Sequence, residues 1–297
     1  RAYNTTNEVV KNKGYIVPAA EWLLDNFYMI QEQIKEIRYN LTEGYLKELP
    51  IIGTGHLKGF PRAYAIVAEM ISCTDGHVDN ETITAFLTGY QSVSPLTNRE
   101  LWVIPTMIRI ALIKKIKDIA LHIVKSQEQK SQAEKWAERL LAAMEDSSQE
   151  IKRIISEHDS EMSSMTPAYA ERLLQCLREQ GSEAAPIVRW IDGKLALQDT
   201  HAEEIIQLEH QRQATYKVSM GNAITTLRFL SGVKWEELFE ELSLVEQILK
   251  QDPEQVYDKM EFASRDYYRH QVEKLAKEAH ISECHIAQKA IECALES

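Results

Sequence analysis

The stretch Thr97–Asn98–Arg99–Glu100 and the apolar run LWVIPTMIRIALIKKIKDIALHIV behind it (residues 101–124) decide the fold class. Thr97 and Glu100 have the spacing of a capping box, in which each side chain satisfies the other's backbone amide at a helix start. The apolar residues that follow recur at helical spacing. Pro105 lies far enough inside to bend the helix or to separate its first turns. The stretch therefore predicts one long, largely buried helix.

Helical spacing extends over most of the chain, and strand-like alternation is nearly absent. Gly totals 11 and Pro 8 among 297 residues, so few positions interrupt a helix. Asp79, Thr166 and Ser282 are predicted to cap later helices, and Asp252-Pro253 is a predicted helix start. We predict an all-α fold, a multi-helix bundle or array of about ten to twelve helices with no significant sheet.

The segment EWLLDNFYMI (residues 21–30) is typical of a buried helix, yet it carries two polar residues at its centre. Asp25 and Asn26 stand between Leu24 and Phe27. A buried polar group without a partner is costly. We therefore expect both side chains to bind inward, to a helix end or to Arg62 or Arg109.

Composition divides the chain into three parts. Residues 126–165 are rich in Gln, Glu, Lys and Ser, and we interpret them as a polar exposed helix followed by a linker at EHDSEMSSM. A helical N-terminal half (1–125) would precede this segment and a helical C-terminal half (166–297) would follow it. The two halves could also pack as one domain. Because residue 1 is Arg rather than Met, we expect a piece of a longer protein or a processed chain.

Charge and motifs exclude several classes of function. Asp plus Glu total 45 against 34 Lys plus Arg, a net charge of −11, and the sequence has no long basic run. Such a chain is a poor partner for nucleic acid. Its apolar runs are shorter than the roughly 18 residues that span a bilayer. The sequence contains no Walker A loop, no Gly-x-Gly-x-x-Gly and no Cys-x-x-Cys. We predict no cofactor, no metal site and no membrane-spanning segment.

Acidic residues offer limited catalytic chemistry. Glu209-His210 resembles a metal-binding helix motif, but the second His of a zincin is missing. A pair of carboxylates could support glycoside hydrolysis. With 45 acids in the chain, caps and salt bridges are the favoured interpretation of any such pair. The candidates are Asp25, Glu32, Glu100 and Glu240.

Arg265 and Arg269 lie four residues apart and so share a helix face, with Tyr268 adjacent. Such a pair could bind a phosphate or a carboxylate ligand. It could equally bind the acids of a neighbouring helix, and this second interpretation is favoured.

Three blocks of sequence resemble the amino-terminal region of bacterial cyclic β-1,2-glucan synthases. The first is WLLDNFYMIQEQIKEIR with GYLKELP and GFPRAYAIVAEM, and the second is FLTGYQSVSPLTNRELWVIPTMIRIALI. The third is EHQRQATYKVSMGNAITTLRFLSGVKWEELFEELSLVEQIL, followed by MEFASRDYYRHQVEKLAKEAHISECHIA. The blocks occur in order and leave out only residues around 126–165.

The resemblance implies a part of a very large inner-membrane protein. Such synthases combine a membrane-embedded, UDP-glucose-dependent glycosyltransferase with a cyclising domain and a phosphorylase-like domain. The region resembled precedes the transferase and lies on the cytoplasmic side of the bacterial inner membrane. This chain has neither Gln-x-x-Arg-Trp nor Asp-x-Asp, the motifs expected of the transferase. The resemblance therefore implies that this chain itself is not catalytic.

Three functions follow as hypotheses. The leading one is a non-catalytic helical module that docks the transferase or guides the glucan, with other domains of the same polypeptide and a β-1,2-glucan chain as partners. The second is an α-helical toroid-type glycoside hydrolase, and the third is a protein-interaction scaffold. The family-motif positions, with structural or binding roles, are Trp22, Asp25, Asn26, Arg62, Glu100, Trp102, Arg109, Glu209, His210, Asn222, Arg228, Trp235, Arg265, Tyr268 and Arg269.

Overall fold

The structure, a computed structural model, describes residues 18–162, 164–179 and 181–296. Fourteen α-helices and two short 3₁₀ helices make this part of the chain 79% helical, and it contains no strand or sheet beyond an isolated bridge between Ile51 and Pro61. The all-α prediction is confirmed, with somewhat more helices than the ten to twelve expected. Across the described ranges, no helix is both long enough and apolar enough to cross a membrane.

The chain forms two compact units. Unit 1 comprises the described parts of residues 1–27 and 115–221, and unit 2 comprises residues 28–114 and the described part of 222–297. These boundaries do not test the sequence-based division into 1–125, 126–165 and 166–297, which stays a prediction about domains.

The helices that contribute to unit 1 are α1 (Pro18–Asp25), the later part of α6 (Asn98–Asp146), α7 (Ser148–Glu161), α8 (Pro167–Arg178), α9 (Ala185–Ala196) and most of α10 (Ala202–Leu230). Those of unit 2 are α2 (Phe27–Asn40), α3 (Glu43–Lys47), α4 (Arg62–Cys73), α5 (Asn80–Gln91), the first part of α6, the end of α10, α11 (Trp235–Leu242), α12 (Leu244–Leu249), α13 (Phe262–Ala279) and α14 (Glu283–Glu296).

Helix α6 starts at the predicted capping box. The backbone N–H of Glu100 donates to Thr97 Oγ1 at 3.2 Å, and the backbone N–H of Thr97 donates to Glu100 Oε2 at 3.0 Å. The helix runs for 49 residues through Pro105 without interruption. It ends before Ser147, whose hydroxyl accepts from the backbone N–H of Glu150 and so caps α7. The predicted caps at Asp79 and Ser282 also form.

The polar pair in EWLLDNFYMI marks a break between two helices. Helix α1 ends at Asp25 and α2 begins at Phe27, with Asn26 between them. Asn26 Nδ2 donates to the carbonyl oxygen of Trp22 at 2.8 Å. A side-chain amide that takes the carbonyl four residues earlier competes with the helical backbone bond. Asn26 is therefore buried and bound, as expected, whereas Asp25 is exposed and the expectation that it binds inward was wrong.

The core of unit 1 uses the segment that composition marked as polar. Trp136, Leu140 and Ile154 are buried in one cluster with leucines of α8 and isoleucines of α9. Burying one such side chain contributes about 1.5–3 kcal/mol. The apolar residues of 126–165 lie on single helix faces between many polar ones, so average composition hid them. The predicted linker at 157–165 is helical as far as Glu161.

Unit 2 is built on buried faces of α4, α5, α6 and α10. Met70, Ile83, Leu87, Ile104 and Ile108 are 0% exposed. A smaller cluster contains Val245, Leu249, Tyr257, Val272 and Ala287.

The helix predicted to start at Asp252-Pro253 does not form. The carboxylate of Asp252 accepts from the backbone amides of Glu254, Val256 and Tyr257. Local carboxylate–amide bonds of this kind stabilise a turn instead of a helix start.

Candidate functional site

The two C-terminal arginines of unit 2 bind carboxylates of their own chain. Arg265 donates to Glu246 Oε1 at 2.9 Å, and its Nη2 forms an ion pair with Glu240 Oε1 at 2.7 Å. Arg269 donates to Glu246 Oε2 at 2.6 Å, and the hydroxyl of Tyr257 donates to the same oxygen at 2.8 Å. We call these five residues the arginine–glutamate cluster. The favoured interpretation, arginines that bind acids of a neighbouring helix, is what the structure contains.

Burial makes this cluster energetically important. The side chain of Glu246 is 0% exposed and that of Arg269 is 2% exposed. The guanidinium of Arg269 also lies over the rings of Phe239 and Phe262, 5.2 and 4.7 Å from their centroids. Burial and the hydrogen bond to Glu246 both raise the pKa of Tyr257. A charge pair removed from water must stay paired, because one member alone is strongly destabilising.

Two further arginines among the family-motif positions, Arg62 and Arg109, also bind groups of their own chain. Arg62 donates through Nε and Nη2 to the two oxygens of the fully buried Glu100, at 2.8 and 2.6 Å. Arg109 donates to Gln33 Oε1 at 2.8 Å and to the backbone carbonyl of Leu230 at 3.1 Å. Burial lowers the pKa of Arg109. Both arginines thus join helices within unit 2.

Glu283, the first residue of α14, was not singled out from the sequence, and its carboxylate contacts the start of α6. Its Oε2 accepts from the backbone N–H of Asn98 at 2.8 Å, and the residue is only 9% exposed. Burial raises the pKa of this carboxyl to about 7, against the effect of the Asn98 amide, and the nearby acids Glu273 and Glu100 add to the rise. Sequence patterns at a helix start involve residues only a few positions apart. They therefore give no signal for the contact between Glu283 and Asn98.

The remaining family-motif positions of unit 2 are mostly packing residues. The ring of Trp102 stacks on Phe239 with centroids 4.4 Å apart, and Trp235 is half-buried. Asn222 Nδ2 donates to the backbone carbonyl of Asp75 at 3.3 Å. Two positions are exposed instead, Arg228 in an open groove between α5 and α11 and Tyr268 beside Tyr257.

Unit 1 holds a cavity of about 320 Å³ with a buried carboxylate in its wall. Glu209, on α10, is 1% exposed. Its Oε1 accepts from Ser126 Oγ at 3.3 Å and from Gln213 Nε2 at 3.0 Å. Its Oε2 is buried and accepts no hydrogen bond from the described residues. Arg212 Nη1 lies 4.0 Å from this oxygen, which is an ion pair but not a hydrogen bond. We call this space the Glu209 cavity.

The Glu209 cavity combines polar groups with one aromatic wall. The rings of His122 and Tyr216 stack with centroids 5.6 Å apart and an interplanar angle of 24°. Thr166 also lines the cavity. Thr166 precedes α8, as predicted, but its hydroxyl makes no capping bond and is buried without a partner among the described residues.

The neighbouring His210 does not extend this site. Its side chain is 65% exposed, and Nε2 lies 3.5 Å from Glu171 Oε1. Within the ranges that the structure describes, no group of three or more His, Cys, Asp and Glu side chains could hold a metal ion. Trp22, also in unit 1, packs at van der Waals distance over Gly221, where a Cβ atom would lie 3.6 Å from the indole.

Sequence reasoning found one member of the cavity and missed the others. Glu209 was singled out by its place in a motif. Ser126 lies far from it in sequence, in a segment interpreted as an exposed helix. Tyr216 and Gln213 are ordinary residues of an amphipathic helix. Only the meeting of α6, α8 and α10 brings these groups together, and no local pattern reports that meeting.

Comparison with known proteins gives one informative similarity. The chain is 29% identical over 292 residues to the cyclic beta-(1,2)-glucan synthase NdvB of Rhizobium meliloti strain 1021. The alignment covers 98% of this chain and 10% of NdvB, so the chain spans about a tenth of the length of that relative. No family model matches the chain. The expected resemblance to a cyclic β-1,2-glucan synthase is thereby confirmed.

Proposed function

We propose that this chain is a non-catalytic helical module of a large β-1,2-glucan synthase. It would support the UDP-glucose-dependent transferase module, by docking against it or by guiding the growing glucan. The observation that carries the proposal is the similarity to NdvB over 98% of the chain. The partners would be other domains of the same polypeptide, on the cytoplasmic side of the bacterial inner membrane.

The state of the candidate acids supports a non-catalytic role. A glycoside hydrolase needs two carboxyl groups about 5.5 Å or 6.5–9.5 Å apart, on either side of the bond to be cleaved. Glu100 is buried against Arg62, and Glu240 is bound to Arg265. Asp25 and Glu32 are exposed. None of these four lines the Glu209 cavity or the groove beside Arg228.

The arginine–glutamate cluster supports the same conclusion for sugar nucleotides. An arginine pair that binds a diphosphate must present free donors to solvent. Arg269 is 2% exposed and its Nη1 is 2.6 Å from Glu246. The cluster is therefore occupied by the chain's own acids, and UDP-glucose binding is assigned to other parts of the synthase.

The proposed docking is tested by measuring whether the purified chain binds the rest of a glucan synthase. NdvB that lacks the segment matching this chain would be solubilised in detergent and captured on the immobilised chain. NdvB's own matching segment serves as the positive control, and an unrelated acidic helical protein serves as the negative control. We expect the chain to retain the shortened NdvB as NdvB's own segment does. Retention by NdvB's segment alone would contradict docking by this chain.

A second assay separates the module from the toroid-type hydrolase. The chain would be incubated with linear β-1,2-gluco-oligosaccharides, and the products would be separated by length. We expect the length distribution to stay constant. Accumulation of shorter oligosaccharides would show that the chain is an enzyme and would overturn the proposal.

A further inference from the structure

We propose that the Glu209 cavity is a binding site for a neutral sugar chain, with Glu209 as the acceptor of sugar hydroxyl protons. The choice of a β-1,2-glucan as the sugar rests on the proposed function. The site itself rests on the structure of unit 1, and nothing in the comparison with NdvB identifies it.

The hydrogen bonds around the Glu209 cavity are incomplete. Glu209 is 1% exposed, and its Oε2 accepts no hydrogen bond from the described residues. A buried carboxylate oxygen left without a donor is costly, and native proteins contain few such groups. The hydroxyl of Thr166, which lines the same cavity, is also without a partner among the residues described. Two residues with unsatisfied oxygens line one cavity, and a ligand with donors and acceptors of its own would satisfy both.

The chemistry of the lining also indicates the class of ligand. Ser126, Gln129 and Gln213 offer hydroxyl and amide groups, which can both donate and accept. The stacked rings of His122 and Tyr216 add an aromatic wall. Ligand sites are usually apolar concavities with a few placed polar groups, and their volumes begin near 300 Å³. A sugar ring, with hydroxyls at its edge and C–H groups on its faces, matches this combination.

The cavity lining carries both signs of charge. Among the described residues that line it, Glu209 is the one acid and Lys125 and Arg212 are the cations, and Glu209 Oε2 lies 4.0 Å from Arg212 Nη1. An anionic ligand that approached Oε2 would be repelled, because like charges interact strongly where water is excluded. At Oε2 the carboxylate therefore favours the hydroxyl of a neutral ligand over an anionic group, and titration with UDP-glucose tests the cavity as a whole.

The test is calorimetric titration of the whole chain with a linear β-1,2-gluco-oligosaccharide, and separately with UDP-glucose. We expect saturable binding of the oligosaccharide and no binding of UDP-glucose. Glu209→Gln and Tyr216→Ala are each expected to weaken the oligosaccharide affinity at least tenfold. Glu203→Gln, an exposed position on the same helix, is the matched control and should bind as the unaltered chain does.

Circular dichroism melting of each variant excludes loss of folding as the cause, and Tyr216→Ala keeps the test valid if Glu209→Gln unfolds. Equal oligosaccharide binding by both folded variants and the unaltered chain would overturn the site. Absence of oligosaccharide binding, or tighter binding of UDP-glucose, would overturn it as well. The proposed function is judged separately, by retention of shortened NdvB, so failure of the site and failure of the module are distinguishable.

Discussion

Replacing Arg269 by Met tests whether the arginine–glutamate cluster is a structural element. The substitution keeps a long apolar stem but removes the donor 2.6 Å from Glu246 Oε2. Arg265 and Tyr257 still donate to Glu246, so the carboxylate stays partly satisfied. Breaking a buried charge pair costs about 3–5 kcal/mol. Because two donors remain, we expect Arg269→Met to lower the free energy of unfolding by about 3 kcal/mol, the lower end of that range.

The assay is urea unfolding at neutral pH, followed by circular dichroism. Lys234→Met is the matched control, because Lys234 pairs with Glu237 at 2.9 Å but both side chains are more than 70% exposed. Screened surface pairs contribute little, so the control midpoint should stay in place. In the double variant Glu246→Leu/Arg269→Met, Arg265 keeps Glu240 but the Tyr257 hydroxyl loses its acceptor. Because both substitutions remove the same ion pair, their combined cost should be smaller than the sum of their separate costs.

An Arg269→Met midpoint equal to that of Lys234→Met would refute the reasoning. The cluster would then be a weak association of charges, and the arginine pair would be available to an external phosphate or carboxylate. The interpretation of the C-terminal arginines would have to return to the alternative that the sequence left open.

Three further changes have expected outcomes in the same unfolding assay. Folding raises the pKa of Glu283 from 4.5 to about 7, so between these pH values the folded chain keeps a proton that the unfolded chain releases. The free energy of unfolding should therefore fall by about 3 kcal/mol as pH rises from 4.5 to 7. Glu283→Gln should remove this fall, because glutamine does not titrate. Asn26→Ala should cost about 1–2 kcal/mol through the lost bond to Trp22, whereas Asp25→Ala should leave the melting temperature unchanged. Glu100→Ala should cost about 3 kcal/mol, because it removes a cap and leaves the guanidinium of Arg62 without its carboxylate.

Each of these predictions has a contradicting result. An unchanged pH profile for Glu283→Gln would show that the carboxyl is solvated. Equal effects of Asn26→Ala and Asp25→Ala would show that the break between α1 and α2 does not depend on the amide. An unchanged free energy of unfolding for Glu100→Ala would show that neither the capping box nor the pair with Arg62 stabilises the start of α6.

Local signals in the sequence predicted the helices well. The capping box at Thr97 and the caps at Asp79 and Ser282 depend on residues within three positions of each other, and all three form. Asp252 failed because its carboxylate can satisfy either a helix start or a turn, and the local pattern does not distinguish the two. Asn26 ended a helix for a related reason, since its amide takes a backbone acceptor.

Long-range partners were less accessible. Their spacing placed Arg265 and Arg269 on one helix face, and acids of a neighbouring helix were the favoured partners. Nothing in the sequence selected Glu246 among those acids. The contact between Glu283 and Asn98 joins residues 185 positions apart. The Glu209 cavity depends on where α6, α8 and α10 meet within unit 1. Such meetings follow from packing of whole helix faces, which single-residue patterns do not encode.

The measurement that tests the central claim most directly is glucan production by NdvB in which this chain replaces the matching segment. Cells would express intact NdvB, NdvB without the segment, or the replacement, at equal protein levels. We predict that the replacement restores cyclic β-1,2-glucan and that the shortened NdvB makes little or none. Full glucan production by the shortened NdvB would contradict the account, because the module would then contribute nothing to synthesis.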